Sequence, residues 1–261
     1  FRIDRKKKLP ITTILYALGL SKNEIIDNFY TSNDYNFDNV SKMWVTKFNP
    51  ENYRRPIKIS YDLIDAKTKK KVLNKGDKLN LVIAKKLQEK KLDNIFITNE
   101  ELIGKYICHD LKETNDETMI SAGFDITDEI LQKIIAQGIK TIKLANIDPI
   151  NKGPYLLETL KIDKNTNKVD ALNDIYKVLR PGEAPTVEIA EEIFNNLYFN
   201  KDRYDLSEVG RVKLNSKLNL TSDLKETVLK KEDIKAIIQF MLDLRDGKGE
   251  VDDIDHLGNR R

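Results

Sequence analysis

From Gly247 to Arg261 the chain reads Gly-Lys-Gly-Glu-Val-Asp-Asp-Ile-Asp-His-Leu-Gly-Asn-Arg-Arg. Asp252, Asp253, Asp255 and His256 are donor types that can hold Mg²⁺ or Ca²⁺. Ile254 interrupts the carboxylates, however, the spacing is not that of an EF-hand, and Arg260 and Arg261 stand close enough to neutralise the acids. A metal site is therefore not expected. His109 and His256 are the only histidines and Cys108 the only cysteine, which leaves little material for a His/Cys nucleophile. The chain also lacks a phosphate-cradling Gly-x-x-x-x-Gly-Lys-Ser/Thr run. No residue is assigned a catalytic role, and no cofactor is expected on this chain.

The same tail suits recognition better than bond-breaking. The two oxygens of Asp255 can accept from the N1–H and N2–H₂ donors of an unpaired guanine. Ile254 can supply an apolar wall, and Arg260 a planar cation that stacks or holds a phosphate. Arg5, Lys6, Lys7, Arg180 and Arg203 offer phosphate contacts at separated points. The plain alternative is an Asp255–Arg260 ion pair that only fixes the loop. Spacing alone favours neither.

These groups need elements to place them. Ile234, Ile237, Ile238, Met241 and Leu242 mark a helix before the tail, broken by Gly247 and Gly249. In Arg180-Pro181-Gly182-Glu183-Ala184-Pro185-Thr186, Pro-Gly sets a tight turn and Thr186 caps the next helix. The stripe Val187, Ala190, Ile193, Phe194 and Leu197 is expected to face a core, which leaves Arg180 and Glu183 on a stiff projecting loop. Leu156 to Ile162 alternates and reads as a strand; Asp170 to Leu179 is amphipathic. Near the start, helices are expected from Leu9 to Leu18 and, behind a Ser21/Glu24 capping box, to about Phe29. The pair resembles a helix-turn-helix, but the second helix has few basic residues to face a groove, so core packing is the expectation.

The clearest organisational signal is an ungapped internal repeat of period 47. It pairs Val72 with Met119, Gly76 with Gly123, Leu79 with Ile126, Ile83 with Ile130, Leu87 with Ile134, Leu92 with Ile139, Ile95 with Ile142 and Ile97 with Leu144. Each copy reads strand, glycine turn, helix, strand, with Asn80 and Thr127 at matching N-cap positions. Neither copy has enough apolar surface to stand alone, so the two are expected to pack together or on a host. Lys85, Lys86, Lys90 and Lys91 on the first repeat helix read as a solvated face.

Composition bounds the rest. Charged residues make up 33% but the net charge is only +3, so nucleic-acid contact must be a local patch rather than a bulk polycation. One cysteine suits a reducing cytoplasm, and the longest apolar run, Ile11 to Leu20, is too short to span a bilayer. A start on Phe1 and an end on Arg260-Arg261 suggest a piece of a longer polypeptide.

Six stretches carry a resemblance: Phe-Arg-Ile-Asp-Arg-Lys-Lys-Lys-Leu-Pro at 1–10, Gly-Pro-Tyr-Leu-Leu-Glu-Thr-Leu at 153–160, Leu-Arg-Pro-Gly-Glu-Ala-Pro-Thr at 179–186, Phe-Asn-Asn-Leu-Tyr-Phe at 194–199, Arg-Tyr-Asp-Leu-Ser-Glu-Val-Gly-Arg at 203–211, and the terminal segment. In order and spacing they resemble the lobe of the β subunit of bacterial DNA-directed RNA polymerase, with 1–29 and 153–261 as the lobe and 30–152 as a lineage-specific insertion. Ala184 replaces the more usual proline and Lys6-Lys7 replace arginines, which keeps turn and charge.

The resemblance implies an α+β fold, a mixed helical and strand lobe with an inserted, duplicated strand-helix-strand (α/β) module. It implies a non-catalytic, DNA-facing part of a cytoplasmic, nucleoid-associated nucleotidyltransferase. The loop around Arg180 would be a gate loop over the downstream DNA channel. Ile254, Asp255 and Arg260 would line a pocket for an unstacked non-template guanine, while Arg5, Lys6, Lys7 and Arg203 match or neighbour DNA-facing positions. The catalytic Mg²⁺ is expected on the β′ subunit. Expected partners are DNA, β′ and the other core subunits, a sigma factor and, on the insertion, transcription regulators; no membrane is involved. The rival expectation is a docking module whose insertion binds sigma or regulators.

Overall fold

The computed structural model describes every residue except 5–6, 113–117, 149–150, 204, 254 and 257–261. The chain forms two compact units: Phe1–Ile25 with Glu158–Arg261, and Ile26–Leu157.

The first unit is built of helices. α1 (Ile11–Ala17) ends at Gly19, and α2 (Lys22–Phe29), which straddles the boundary, opens on the expected capping box. There Glu24 Oε2 accepts from the Ser21 N–H at 2.7 Å and the Glu24 N–H donates to Ser21 Oγ at 3.3 Å.

In the second unit β1 (Ser32–Asp38) and β2 (Met43–Lys47) form a hairpin. β3 (Ile57–Lys58), β4 (Leu63–Asp65), β5 (Lys71–Leu73) and β6 (Lys78–Leu79) lead into α3 (Leu81–Glu89) and β7 (Asn94–Ile97). Then come α4 (Asn99–Leu102), β8 (Leu111–Lys112), β9 (Thr118–Ile120), α5 (Asp128–Ala136) and β10 (Thr141–Ala145).

The six-stranded sheet runs β10-β1-β2-β7-β4-β5, and β3-β6 and β8-β9 are separate pairs. Every named pairing is antiparallel, so strand-helix-strand order here does not build a parallel sheet.

The duplication is physical. β5, α3 and β7 recur 47 residues later as β9, α5 and the first four residues of β10. Asn80 Oδ1 accepts from the Ile83 N–H at 2.9 Å, and Thr127 Oγ1 from the Ile130 N–H at 3.4 Å. Gly76 and Gly123 both hold positive φ, +93° and +83°, a conformation that costs glycine nothing sterically. Their N–H groups donate to the carbonyls of Ile59 (2.8 Å) and Ile107 (2.7 Å). The repeat thus reaches further upstream than the residue matches at period 47. Leu63 pairs with Leu73 as Leu111 pairs with Ile120, and both hairpins carry a register shift at that point.

One core serves both copies. Ala84, Leu131 and Ile134 from the helices pack with Ile95, Ile97, Ile142 and Leu144 from the strands, around Trp44 and Tyr35. Trp44 is fully buried, and its Nε1–H donates to Asn99 Oδ1 at 3.0 Å.

The first unit continues with α6 (Tyr155–Ile162), whose first residues lie in the second unit, and then α7 (Lys168–Leu179), α8 (Val187–Tyr198), α9 (Ser207–Leu218) and α10 (Lys231–Arg245). The strand expected at 156–162 is therefore a helix. Leu156, Leu157 and Leu160 are buried and Ile162 is 75% exposed, so the apolar residues serve one face of a helix. At the start of the chain Arg2 and Lys8 form a single antiparallel bridge.

Thr186 caps α8 as expected, its Oγ1 accepting from the Ile189 N–H at 3.4 Å. Of the apolar stripe on that helix, Ala190 and Phe194 are buried, whereas Val187 (45%) and Leu197 (37%) are exposed. The stripe is wider than the surface it covers. Thr12 and Thr13 hydroxyls both donate to Asp163 Oδ2, the latter at 3.1 Å, and α1 packs on α7.

Candidate nucleic-acid interface

The final helix places the acidic tail. Ile234, Ile238 and Leu242 are buried along α10, while Met241 is 56% exposed. The helix closes through Gly247, whose N–H donates to Leu244 O at 3.1 Å, and the Lys248 N–H donates to Asp243 O at 2.7 Å. Gly247 and Gly249 then take φ of +71° and +87°.

Beyond them Asp252 is tied back to α9, with Lys217 Nζ 2.5 Å from Asp252 Oδ1 and 5.1 Å from the Phe240 ring centroid. Asp253 Oδ1 accepts from the Asp255 N–H at 2.9 Å, an Asx turn that fixes the backbone leading into Asp255. The Asp255 side chain belongs to an exposed residue. The Asp252 and Asp253 carboxylates thus serve local structure. Among the described residues no group of three His, Cys, Asp or Glu side chains is placed to hold a metal ion. Ile254 and Arg260, the expected wall and cation beside Asp255, lie outside the described residues, as do Arg5 and Lys6.

Arg180 is the C-cap of α7, and it is not a bare cation. Arg180 Nη1 lies 3.5 Å from Glu183 Oε2, and that same carboxylate oxygen accepts from the Tyr176 hydroxyl at 2.7 Å. The hydroxyl bond holds the Glu183 carboxyl below its usual range, with Arg180 adding to the effect, and pushes the Tyr176 phenol up. The geometry turns the loop into a brace, with Tyr176 on a packed helix, Glu183 on the turn and Arg180 between them, still more than half exposed. Tyr176 escapes a reading of the sequence because its apolar ring belongs to the stripe of α7.

Arg203 is exposed in the turn after α8, where its N–H donates to Asn200 O at 3.1 Å. Lys7 is exposed between the bridge partners Arg2 and Lys8. Among the described residues no ion pair joins Lys7, Arg180 or Arg203 to another member of the expected set. They are separate points on the first unit.

Cys108 and His109 belong to the second unit and to its structure. Cys108 is fully buried, and burial, with Asp27 adding, pushes its thiol up to about 12. His109 Nε2 lies 3.0 Å from Asp27 Oδ1.

The model of the family described as RNA polymerase Rpb2, domain 2, matches residues 121–261. The chain belongs to this family. That match begins within the second repeat copy and runs through the acidic tail. The chain is 47% identical over 262 residues to a protein of Rickettsia massiliae named DNA-directed RNA polymerase subunit beta, covering 100% of this chain and 19% of that protein. It is 44% identical over 261 residues to the protein of that name from Rhizobium leguminosarum bv. trifolii, with the same coverages. For Paracoccus denitrificans the figures are 44% over 283 residues, 100% and 20%. This Rpb2 domain 2 chain therefore spans about a fifth of the length of the relatives it matches, and segment 30–152 is shared with them. No described helix is long and apolar enough to cross a membrane.

Proposed function

We propose that the chain is the DNA-facing lobe of a bacterial RNA polymerase β subunit, formed by 1–29 and 153–261 with an inserted module at 30–152. The lobe contributes one wall of the downstream DNA channel, and phosphodiester formation with its Mg²⁺ takes place on the β′ subunit. Core subunits, sigma and DNA are the partners. The observation that supports this best is the family match running unbroken through the Arg180 loop and the acidic tail. Arg180 on its braced loop meets DNA phosphate without reading sequence. Asp255, with Ile254 and Arg260, receives an unstacked guanine of the non-template strand; Lys7 and Arg203, with Arg5 and Lys6, add phosphate contacts.

A photo-crosslinking side chain at position 255 of the assembled polymerase tests the reading. In an open complex it captures the non-template strand at one guanine; capture of protein alone, or of neither, overturns the pocket.

The second reading, that the insertion is a docking platform for sigma or regulators, is supported by its separate core and lysine-rich surface. Deleting 30–152 separates the two. A polymerase that still opens promoters but no longer responds to a factor has lost a platform, not a channel wall.

A further inference from the structure

On the second unit, a cleft of about 420 Å³ opens on the sheet face that does not feed the core. Its floor is the half-buried Val45 and the edge of Phe96, cross-strand partners on β2 and β7; Phe96 is buried (6% exposed), though outside the cluster shared by the two copies. Lys67 and Lys69, from the β4–β5 connection, and Lys91, from the turn after α3, stand around it. Among the described residues none of the three has a carboxylate within 4.0 Å, although Lys69 helps hold the Asp38 carboxyl low and Lys67 that of Asp65. Asp38 and Asp93 share the wall. Asp38 is occupied locally, accepting from the Ser41 hydroxyl at 2.7 Å and the Val40 N–H at 3.2 Å.

The second repeat copy shows what the scaffold itself requires. Lys91 holds φ of +68°, and 47 residues on Gly138 holds +69° at the same turn. Both turns close alike: Leu92 N–H donates to Leu87 O at 3.1 Å and Ile139 N–H to Ile134 O at 3.2 Å. In L-residues the left-handed conformation is disfavoured, so glycine is the cheaper occupant. Phe96, in turn, corresponds to Lys143. The fold therefore requires neither a lysine at that turn nor a phenylalanine in that strand; the first copy carries both at one cleft.

We propose that this cleft docks an acidic protein segment bearing one bulky apolar side chain. The side chain rests on Val45 and Phe96, and flanking carboxylates meet Lys67, Lys69 and Lys91. The aspartates in the wall and the apolar floor disfavour a nucleic-acid backbone, which needs unbroken positive potential. The proposal deepens the docking reading of the insertion and is independent of the DNA-channel reading.

Fluorescence anisotropy of a labelled Glu-Glu-Asp-Phe-Glu-Glu peptide against the 261-residue chain, at about 50 mM salt, tests it. Saturable binding is expected, weakened about tenfold or more both by Phe-to-Ala in the peptide and by the triple change Lys67→Gln, Lys69→Gln, Lys91→Gly. Lys85→Gln with Lys86→Gln should leave it unchanged. Lys91→Gly alone should lower affinity while Tm holds or rises, which a merely structural lysine would not do. Absence of saturable binding, equal binding by the triple variant, or tighter binding of a short oligothymidylate overturns the cleft. A regulator that binds the assembled polymerase through the insertion equally well in the triple variant overturns the cleft and leaves the docking reading standing.

Discussion

Arg211 Nη1 donates to Asp233 Oδ2 at 2.8 Å, and both side chains are wholly buried. The same carboxylate oxygen accepts the Lys230 N–H at 2.9 Å, and the remaining guanidinium groups reach Glu226 O (2.6 Å) and Val228 O (2.5 Å). One cation thus ties the connection between α9 and α10 to the start of the final helix. Removing it would leave Asp233 buried and unpaired, with two carbonyls unsatisfied. Arg211→Met should destabilise the chain by about 3–5 kcal/mol. Urea denaturation checks this, and an unchanged midpoint would show that the loop is held by something else.

The matching helix caps give a paired test. Asn80→Ala and Thr127→Ala should each cost about 0.5–2 kcal/mol, whereas exchanging the two residue types, Asn80→Thr with Thr127→Asn, should be nearly neutral. Thermal unfolding decides; unequal costs would mean that the copies are not energetically equivalent.

Cys108 should resist alkylation by iodoacetamide in the folded chain at pH 8–9, because burial holds its thiol protonated up to about 12. The unfolded thiol ionises nearer its ordinary 9.0. Its stabilising contribution is therefore complete below that value and is lost as pH rises toward 12. Cys108→Ala should flatten that part of the stability–pH curve. Rapid labelling without denaturant would contradict the burial.

In the assembled polymerase, Asp255→Ala should weaken preference for guanine at one non-template position by about 1–3 kcal/mol, the worth of a bidentate base contact. Open-complex lifetimes on templates differing only at that base measure it. A loss spread equally over all four bases would assign Asp255 to the loop alone.

Arg180→Ala should instead slow DNA loading with little base dependence and a shallower salt slope. Tyr176→Phe, which removes the hydroxyl that anchors Glu183, should give a weaker version of the same defect. A Tyr176→Phe polymerase that loads DNA normally would show that the brace is dispensable.

Much of this was legible from residue patterns. The 47-residue repeat, its two caps and the Ser21/Glu24 box are local features, each specified by a few side chains near in sequence. The strand expected at 156–162 failed because a short apolar run fits either period, and only its burial decides. Tyr176 was missed because its ring belongs to the apolar stripe of α7, and Lys217 because its partner Asp252 lies 35 residues away and is set by tertiary packing. The candidate site is the least legible part. Its acids were visible, but Asp252 and Asp253 turn out to serve the tail's own conformation.

The register of the central sheet has a further consequence. Tyr35 lies opposite Ile142 on one side and Thr46 on the other, and Thr46 lies between Tyr35 and Ile95, the repeat equivalent of Ile142. The hairpin lends β1 to one copy and β2 to the other, so neither copy owns a complete set of hydrogen-bonded neighbours. Peeling away either one breaks the ladder that supports the opposite half. Amide protons of β7 and β10 should therefore exchange with solvent through one shared opening event, at a common rate, rather than as two separately melting halves.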